Sequence, residues 1–144
     1  MANQAKKNLY VGCGLTLAPQ EFKDRVEELK TALGQDWHVM EFLGLVDGTS
    51  ADVYQRDIVD NVGGCDAFVA IADEPSIGLG YELAVAAEVH GIPVLATAHV
   101  DSKVTRLLLG AAEVLPNVTF TPYQDMVHDV PGIVRAQFAS VLEA

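Results

Sequence analysis

The chain is short of basic side chains and of cysteine, and each shortage excludes something. Lysine and arginine number 9 against 20 aspartates and glutamates, a formal net charge of −11. Nucleic-acid polymers are gripped through clustered lysine and arginine, so neither DNA nor RNA is expected as a partner. A single phosphate group is not excluded, because backbone amides, hydroxyls and one arginine suffice to hold it. The two cysteines, Cys13 and Cys65, lie far apart beside apolar runs, which reads as two buried, reduced thiols rather than a disulfide framework. There is no C-x-x-C pair, and His38, His90, His99 and His128 are scattered, so no metal site is expected. Every apolar run is broken by glycine, proline or charge well short of a membrane span, and no basic-then-apolar leader precedes the first strand. The expectation is a cytoplasmic protein that makes no membrane contact.

What is present is a chain of 144 residues, 50% of them hydrophobic, enough for one domain over 1–144 with a proper core. Apolar runs alternate with helical periodicity from end to end. Residues 8–12, 37–43, 67–72, 94–98 and 118–121 read as strands. Residues 19–33, 50–62, 81–90, 102–109 and 132–142 read as helices, with Ser50 a candidate N-cap and the pair Gly63-Gly64 a stop signal. Continuous apolar strands separated by helices imply a parallel sheet covered on both faces. Right-handed crossovers then favour an α/β doubly wound sheet of flavodoxin-like order 2-1-3-4-5. In such sheets ligands bind beyond the carboxyl ends of the strands, at the switch between strands 1 and 3. The turn Gly12-Cys13-Gly14 and the loop 73–80 both fall there.

The familiar nucleotide motifs fail. Gly12-Cys13-Gly14 runs on as Leu15-Thr16-Leu17 without completing G-x-G-x-x-G, and neither a P-loop nor a G-x-S-x-G elbow occurs. Flavin suits the fold, but a hydroxyl-rich first loop is missing. No cofactor is expected.

The most informative run is Glu74-Pro75-Ser76-Ile77-Gly78-Leu79-Gly80-Tyr81-Glu82-Leu83. It leaves a strand and opens a helix read as starting at Tyr81, so that Glu82 falls in its first turn. Gly78 and Gly80 let a ligand approach the backbone, and a helix N-terminus suits an anion. Asp57, close to the buried side of the second helix, can reach the same cleft. Two carboxylates in one cleft are equipment for glycosidic chemistry, one as nucleophile or base and the other handling the proton. Tyr10, near the end of the first strand, is placed to orient the nucleophile. Taken singly, each residue also has a plain reading: Glu82 as partner of the helix dipole, Asp57 as a solvated side chain, Tyr10 as core, Ser76 as an N-cap. The combination is what points to a site.

Tyr10-Val11-Gly12-Cys13-Gly14, Asp57, Cys65-Asp66-Ala67-Phe68-Val69-Ala70, Pro75 to Leu83, and Ser102-Lys103-Val104-Thr105-Arg106 resemble, in this order, the nucleoside 2-deoxyribosyltransferase superfamily. The Pro-Ser-x-Gly-x-Gly-Tyr-Glu form is most similar to its 2′-deoxynucleoside 5′-monophosphate N-hydrolases. By that resemblance Glu82 attacks C1′ of the deoxyribose, Tyr10 orients it, and Asp57 assists departure of the base. Ser76 holds the 5′-phosphate, with Gly12, Gly14, Gly78 and Gly80 lining the site. The resemblance also implies a homodimer or larger homo-oligomer with shared sites. Thr105 would reach across to a neighbour's phosphate, with Ser102 and Arg106 beside it. Water would complete hydrolysis; an incoming nucleobase would make the enzyme a transferase instead. A ribonucleoside monophosphate hydrolase and a non-catalytic nucleotide-binding module are the other readings. Three positions depart from the pattern. Leu15-Thr16-Leu17-Ala18-Pro19 stands where the hydrolases carry an arginine-bearing segment, Leu43 stands for a histidine, and the transferases' Asp-Gly-Thr-like turn before the glutamate is absent. The preferred base and the need for a 5′-phosphate are left open.

Overall fold

Five parallel strands form one sheet of order β2-β1-β3-β4-β5 in a computed structural model that describes residues 5–42 and 48–144. The strands are β1 (Asn8–Cys13), β2 (His38–Met40), β3 (Ala67–Ile71), β4 (Val94–Thr97) and β5 (Val118–Phe120). The expected order is therefore the observed one. Leu43, read as the end of the second strand, lies outside the described residues.

Alternation along the strands divides the core in two. Leu9, Val11 and Cys13 of β1, with Val69 and Ile71 of β3 and Leu95 of β4, face one layer. That layer is closed by α1 (Gln20–Leu33) and α5 (Met126–Gln137), followed by the short α6 (Ala139–Glu143). Tyr10, Phe68, Ala70, Val94 and Ala96 face the other. Three helices cover that second layer. Helix α2 is regular over Ser50–Tyr54 and continues as a π-helical stretch over Gln55–Val62. Helix α3 is regular over Ile77–Ala84 and widens likewise over Val85–Val89; α4 spans Arg106–Val114. Cys13 and Cys65 are both buried and unbridged.

Several boundaries differ from expectation, each for a local reason. Thr49 rather than Ser50 caps α2, sharing a reciprocal capping box with Asp52. Helix α3 starts at Ile77, not Tyr81, because the Ser76 hydroxyl accepts from the Leu79 amide at 3.1 Å and fixes the first turn there. Gly78 and Gly80 are thus helical rather than part of a turn. Gly91 (φ 63°) ends the helix, with the Ile92 amide bonded back to the Ala86 carbonyl at 3.1 Å. Helix α4 starts four residues later than read, at Arg106, and runs through Gly110 to Val114. Helix α5 starts at Met126, where Asp125 caps the His128 amide, and accommodates Pro131 inside it. Among the described residues no helix is long and apolar enough to cross a membrane.

Candidate active site

The glycines of the first loop bring two chain segments together at the switch point. Gly12 and Cys13 belong to β1 itself, and Gly12, Cys13 and Gly14 are all buried. A Cβ on Gly12 would lie 3.0 Å from Leu79 Cδ1 and 3.1 Å from Phe68 Cζ. On Gly14 it would lie 2.9 Å from the Glu74 carbonyl oxygen and 3.0 Å from Ser76 Cβ. These absent side chains let the start of α3 settle onto the end of β1. Packing is therefore the demand the structure places on Gly12 and Gly14. Gly78 and Gly80 are exposed, and a Cβ on Gly80 would meet nothing within 4 Å.

Once α3 begins at Ile77, Glu82 is its sixth residue and no longer in the first turn, where the free amides are. The dipole explanation for Glu82 therefore fails. On a helix of 3.6 residues per turn, Leu79, Glu82, Leu83 and Ala86 share one face, and the three apolar members are buried in the core. Glu82 thus stands where the pattern asks for an apolar residue. Its carboxyl is half-buried, and Oε2 is buried without a hydrogen-bond partner. Burial pushes its pKa up to about 7; the Tyr10 hydroxyl, as a donor, works against that rise, and the Asp57 charge adds to it.

Tyr10 comes from the middle of β1, 2% exposed, its ring 5.4 Å from that of Phe68. Its register, opposite Met40 on β2 and Phe68 on β3, sends the hydroxyl to the α2–α3 side of the sheet. Burial, then the Glu82 and Asp57 charges, raises its pKa far above the ordinary phenol value. It therefore remains a protonated donor facing the Glu82 carboxylate at any working pH. Asp57 is half-buried on the π-helical part of α2, where Gly63 N–H reaches back five residues to the Ile58 carbonyl. Its negative charge acts on both Tyr10 and Glu82. The three residues expected to carry chemistry are one electrostatic cluster.

The residues expected on the phosphate side are arranged differently from one another. Ser76 is half-buried at the N-cap of α3, and Gly14 packs against it. Ser102 donates to Asp73 Oδ2 at 3.3 Å. Thr105 caps α4 by accepting from the Leu107 amide at 3.4 Å, and both it and Arg106 are exposed. Sequence reasoning missed Asp73. The signal was available: an acid two residues past the end of a fully buried strand, on the rim where ligands bind. A cavity of about 370 Å³ opens on the other side of this rim, between Phe22 and Arg25 of α1 and His99, Tyr123 and Met126, and its lining does not include Glu82. Among the described residues no group of three or more His, Cys, Asp or Glu is placed to hold a metal ion.

Neither a family model nor a curated protein sequence matches the chain. Solved structures do. The CMP N-glycosidase BcmB of Clostridium botulinum superposes with a TM-score of 0.66 at 21% identity, over 89% of this chain and 98% of that one. A 2-desoxiribosyltransferase from Leishmania mexicana superposes with a TM-score of 0.58 at 18% identity, over 95% and 97%. The likeness is one of fold, extends over nearly the whole of all three chains, and agrees with the family that the sequence motifs resemble.

Proposed function

We propose that the protein is an N-glycosidase that releases the base from 2′-deoxynucleoside 5′-monophosphates through a covalent intermediate on Glu82. The observation that carries this reading is the Glu82 carboxylate itself: set in an apolar helix face, buried at Oε2, held by a tyrosine donor, and neighboured by the second carboxylate of Asp57. An ionised Glu82 attacks C1′ as the C1′–N bond breaks. The bond pair leaves with the base, which takes a proton from Asp57. The reacting form is the one in which the two neighbouring carboxyls hold one proton between them, on Asp57, while Glu82 is ionised. Water then attacks C1′, gives its proton back to Asp57, and displaces Glu82, leaving deoxyribose 5-phosphate with retained configuration. Ser76, the open glycines Gly78 and Gly80, and the Ser102–Arg106 segment take the 5′-phosphate. The names of the two structural neighbours, a glycosidase of nucleotides and a deoxyribosyltransferase, support glycosyl chemistry on nucleotides or nucleosides.

Two further readings each have an observation behind them. The first neighbour acts on CMP, a ribonucleotide, so a ribonucleoside monophosphate is the competing substrate. The second is a transferase, so an incoming base is the competing nucleophile. Incubating the protein with dGMP, dCMP, GMP and CMP, and with deoxyinosine plus free adenine, separates all three by the products. Release of base from the deoxynucleotides without exchange is the expected result; exchange on the nucleoside would overturn it.

The exposed apolar side chains support a homo-oligomer. Among the described residues, every large exposed apolar side chain on a helix belongs to α2, α3 or α4, including Ile77 (94% exposed), Val89, Leu107 (83%) and Val114. A face of this kind, next to Glu82 and Thr105, suits association with a second copy. Light scattering should give a dimer or larger species, and Leu107→Glu together with Ile77→Glu should shift it to monomer.

A further inference from the structure

One oxygen of Asp73 ties together the carboxyl ends of three adjacent strands. Asp73 lies two residues beyond β3, and its Oδ2 accepts from the Tyr123 hydroxyl at 2.6 Å, the His99 amide at 3.1 Å and the Ser102 hydroxyl at 3.3 Å. His99 and Ser102 follow β4, and Tyr123 follows β5. Burial, then its bond to Asp73, raises the Tyr123 pKa far above the ordinary value, so the phenol stays a donor. The segments it joins also meet one another. The Val100 amide bonds to the Tyr123 carbonyl at 2.9 Å, the His99 and Tyr123 rings meet edge to face at 5.7 Å, and His99 Nδ1 accepts from the Asp101 amide at 3.1 Å. Asp73 Oδ1, by contrast, is buried with no hydrogen-bond partner. A carboxylate is a poor choice for a mere loop tether when half of it goes unused, because that oxygen carries an uncompensated desolvation cost.

What lies at the two ends of the clamp explains the choice. Three residues after Asp73 comes Ser76, the cap of α3, and three residues after Ser102 comes Thr105, the cap of α4. We infer that Asp73 is a positioning residue that sets the spacing between these two arms, and thereby selects for the 5′-phosphate rather than for the sugar or the base. This rests on the proposed function. It holds whichever copy's site Thr105 serves, since every copy carries the same clamp. Tyr10, Asp57 and Glu82 lie outside the clamp, so the chemical step is untouched by it.

The test uses Asp73→Asn, and Tyr123→Phe as the milder variant, which keeps the buried ring and deletes one donor. Each is assayed for base release from a deoxynucleoside monophosphate and from the matching deoxynucleoside. A hydrogen bond to a charged group makes a difference of roughly ten- to a hundredfold. Tyr123→Phe should raise KM for the monophosphate toward the lower figure and Asp73→Asn toward the higher, with kcat and the KM for the nucleoside changed by less than about twofold. Hydrogen exchange of the wild type and both variants is the second readout: the amides of 99–105 should lose protection while those of β1 and β3 keep theirs. Equal losses on nucleotide and nucleoside, a fall in kcat alone, or unchanged exchange over 99–105 would each overturn the inference. Failure of the wild type to release base from any nucleotide defeats the proposed function instead. The clamp would then be read from exchange, and its selectivity from whether the melting-temperature rise caused by the monophosphate, relative to the nucleoside, disappears in Asp73→Asn.

Discussion

Two carboxylate–tyrosine pairs stand on the same rim of the sheet, and their surroundings send them in opposite directions. Glu82 faces Tyr10 on the α2–α3 side; Asp73 takes the Tyr123 hydroxyl near β4 and β5. Each carboxyl also has one oxygen buried without a partner. The difference lies in the donors. Asp73 gathers a backbone amide and a serine hydroxyl besides its tyrosine, so its charge is shared among three fixed dipoles. Glu82 sits among apolar side chains with one tyrosine donor and a second negative charge nearby, and burial holds its pKa near 7. The carboxylate whose one oxygen gathers three donors holds the strand ends in place. The one left short of donors titrates closer to neutral pH, the range that acid–base chemistry at that pH calls for.

The strongest way to break the comparison is to remove Glu82. Glu82→Ala should lower base release by at least about a thousandfold, as loss of a covalent nucleophile does. If instead wild type and variant are equally silent over a broad nucleotide panel, and both bind, the protein is a binding module. Tyr10→Phe is next. Removing the single donor should cost roughly ten- to a hundredfold in kcat. It should also move the acidic limb of the pH–rate profile to higher pH, because the Tyr10 hydroxyl is what opposes the rise of the Glu82 pKa.

Stability sharpens the same contrast through its pH dependence. The folded pKa of Glu82 is raised from 4.5 to about 7, so the fold favours the protonated form. The resulting stabilisation is fully present below 4.5 and is lost as pH climbs through 7. The neutral isostere Glu82→Gln should therefore match wild type near pH 4 and exceed it above pH 8, by roughly 2–3 kcal/mol. Urea melts at both pH values measure this. Asp73→Asn should instead lose stability, because the Tyr123 hydroxyl, the His99 amide and the Ser102 hydroxyl all meet the carboxylate oxygen of Asp73, and an amide is a weaker partner for them.

The sheet was legible in the sequence because buried parallel strands announce themselves as apolar runs, and their order follows from crossover handedness. The proximity of Tyr10, Asp57 and Glu82 was legible too, although Tyr10 lies in the middle of β1 rather than near its end and reaches the other two through the face of the sheet that α2 and α3 cover. Helix starts were less so. Gly78 and Gly80 read as a turn, but the Ser76 cap supplies enough to begin the helix over them, at a cost of about 1 kcal/mol per glycine. That one shift moves Glu82 from the first turn into the buried stripe, and it replaces a dipole partner with a buried acid short of donors. Asp73 escaped notice because its three donors come from residues 26 to 50 positions away. Its place just past a buried strand was visible, but no local pattern encodes bonds of that range.

The smallest effects concern the glycines between the two pairs, and they should have opposite signs. A Cβ at Gly14 would press on the Glu74 carbonyl at 2.9 Å, and a backbone atom gives way poorly. Gly14→Ala should cost about 1–3 kcal/mol and disturb the loop that leaves Asp73. At Gly80 the same methyl meets nothing within 4 Å and sits inside α3. Gly80→Ala should therefore stabilise the fold by about 0.5–1 kcal/mol through helix propensity alone. A chain that keeps glycine there forgoes that stability, which makes sense if a ligand needs the open backbone. The expected signature is a higher melting temperature together with a raised KM for the monophosphate. A higher melting temperature with unchanged KM would show that Gly80 lies away from the substrate, and would confine the phosphate contacts to Ser76 and its neighbours.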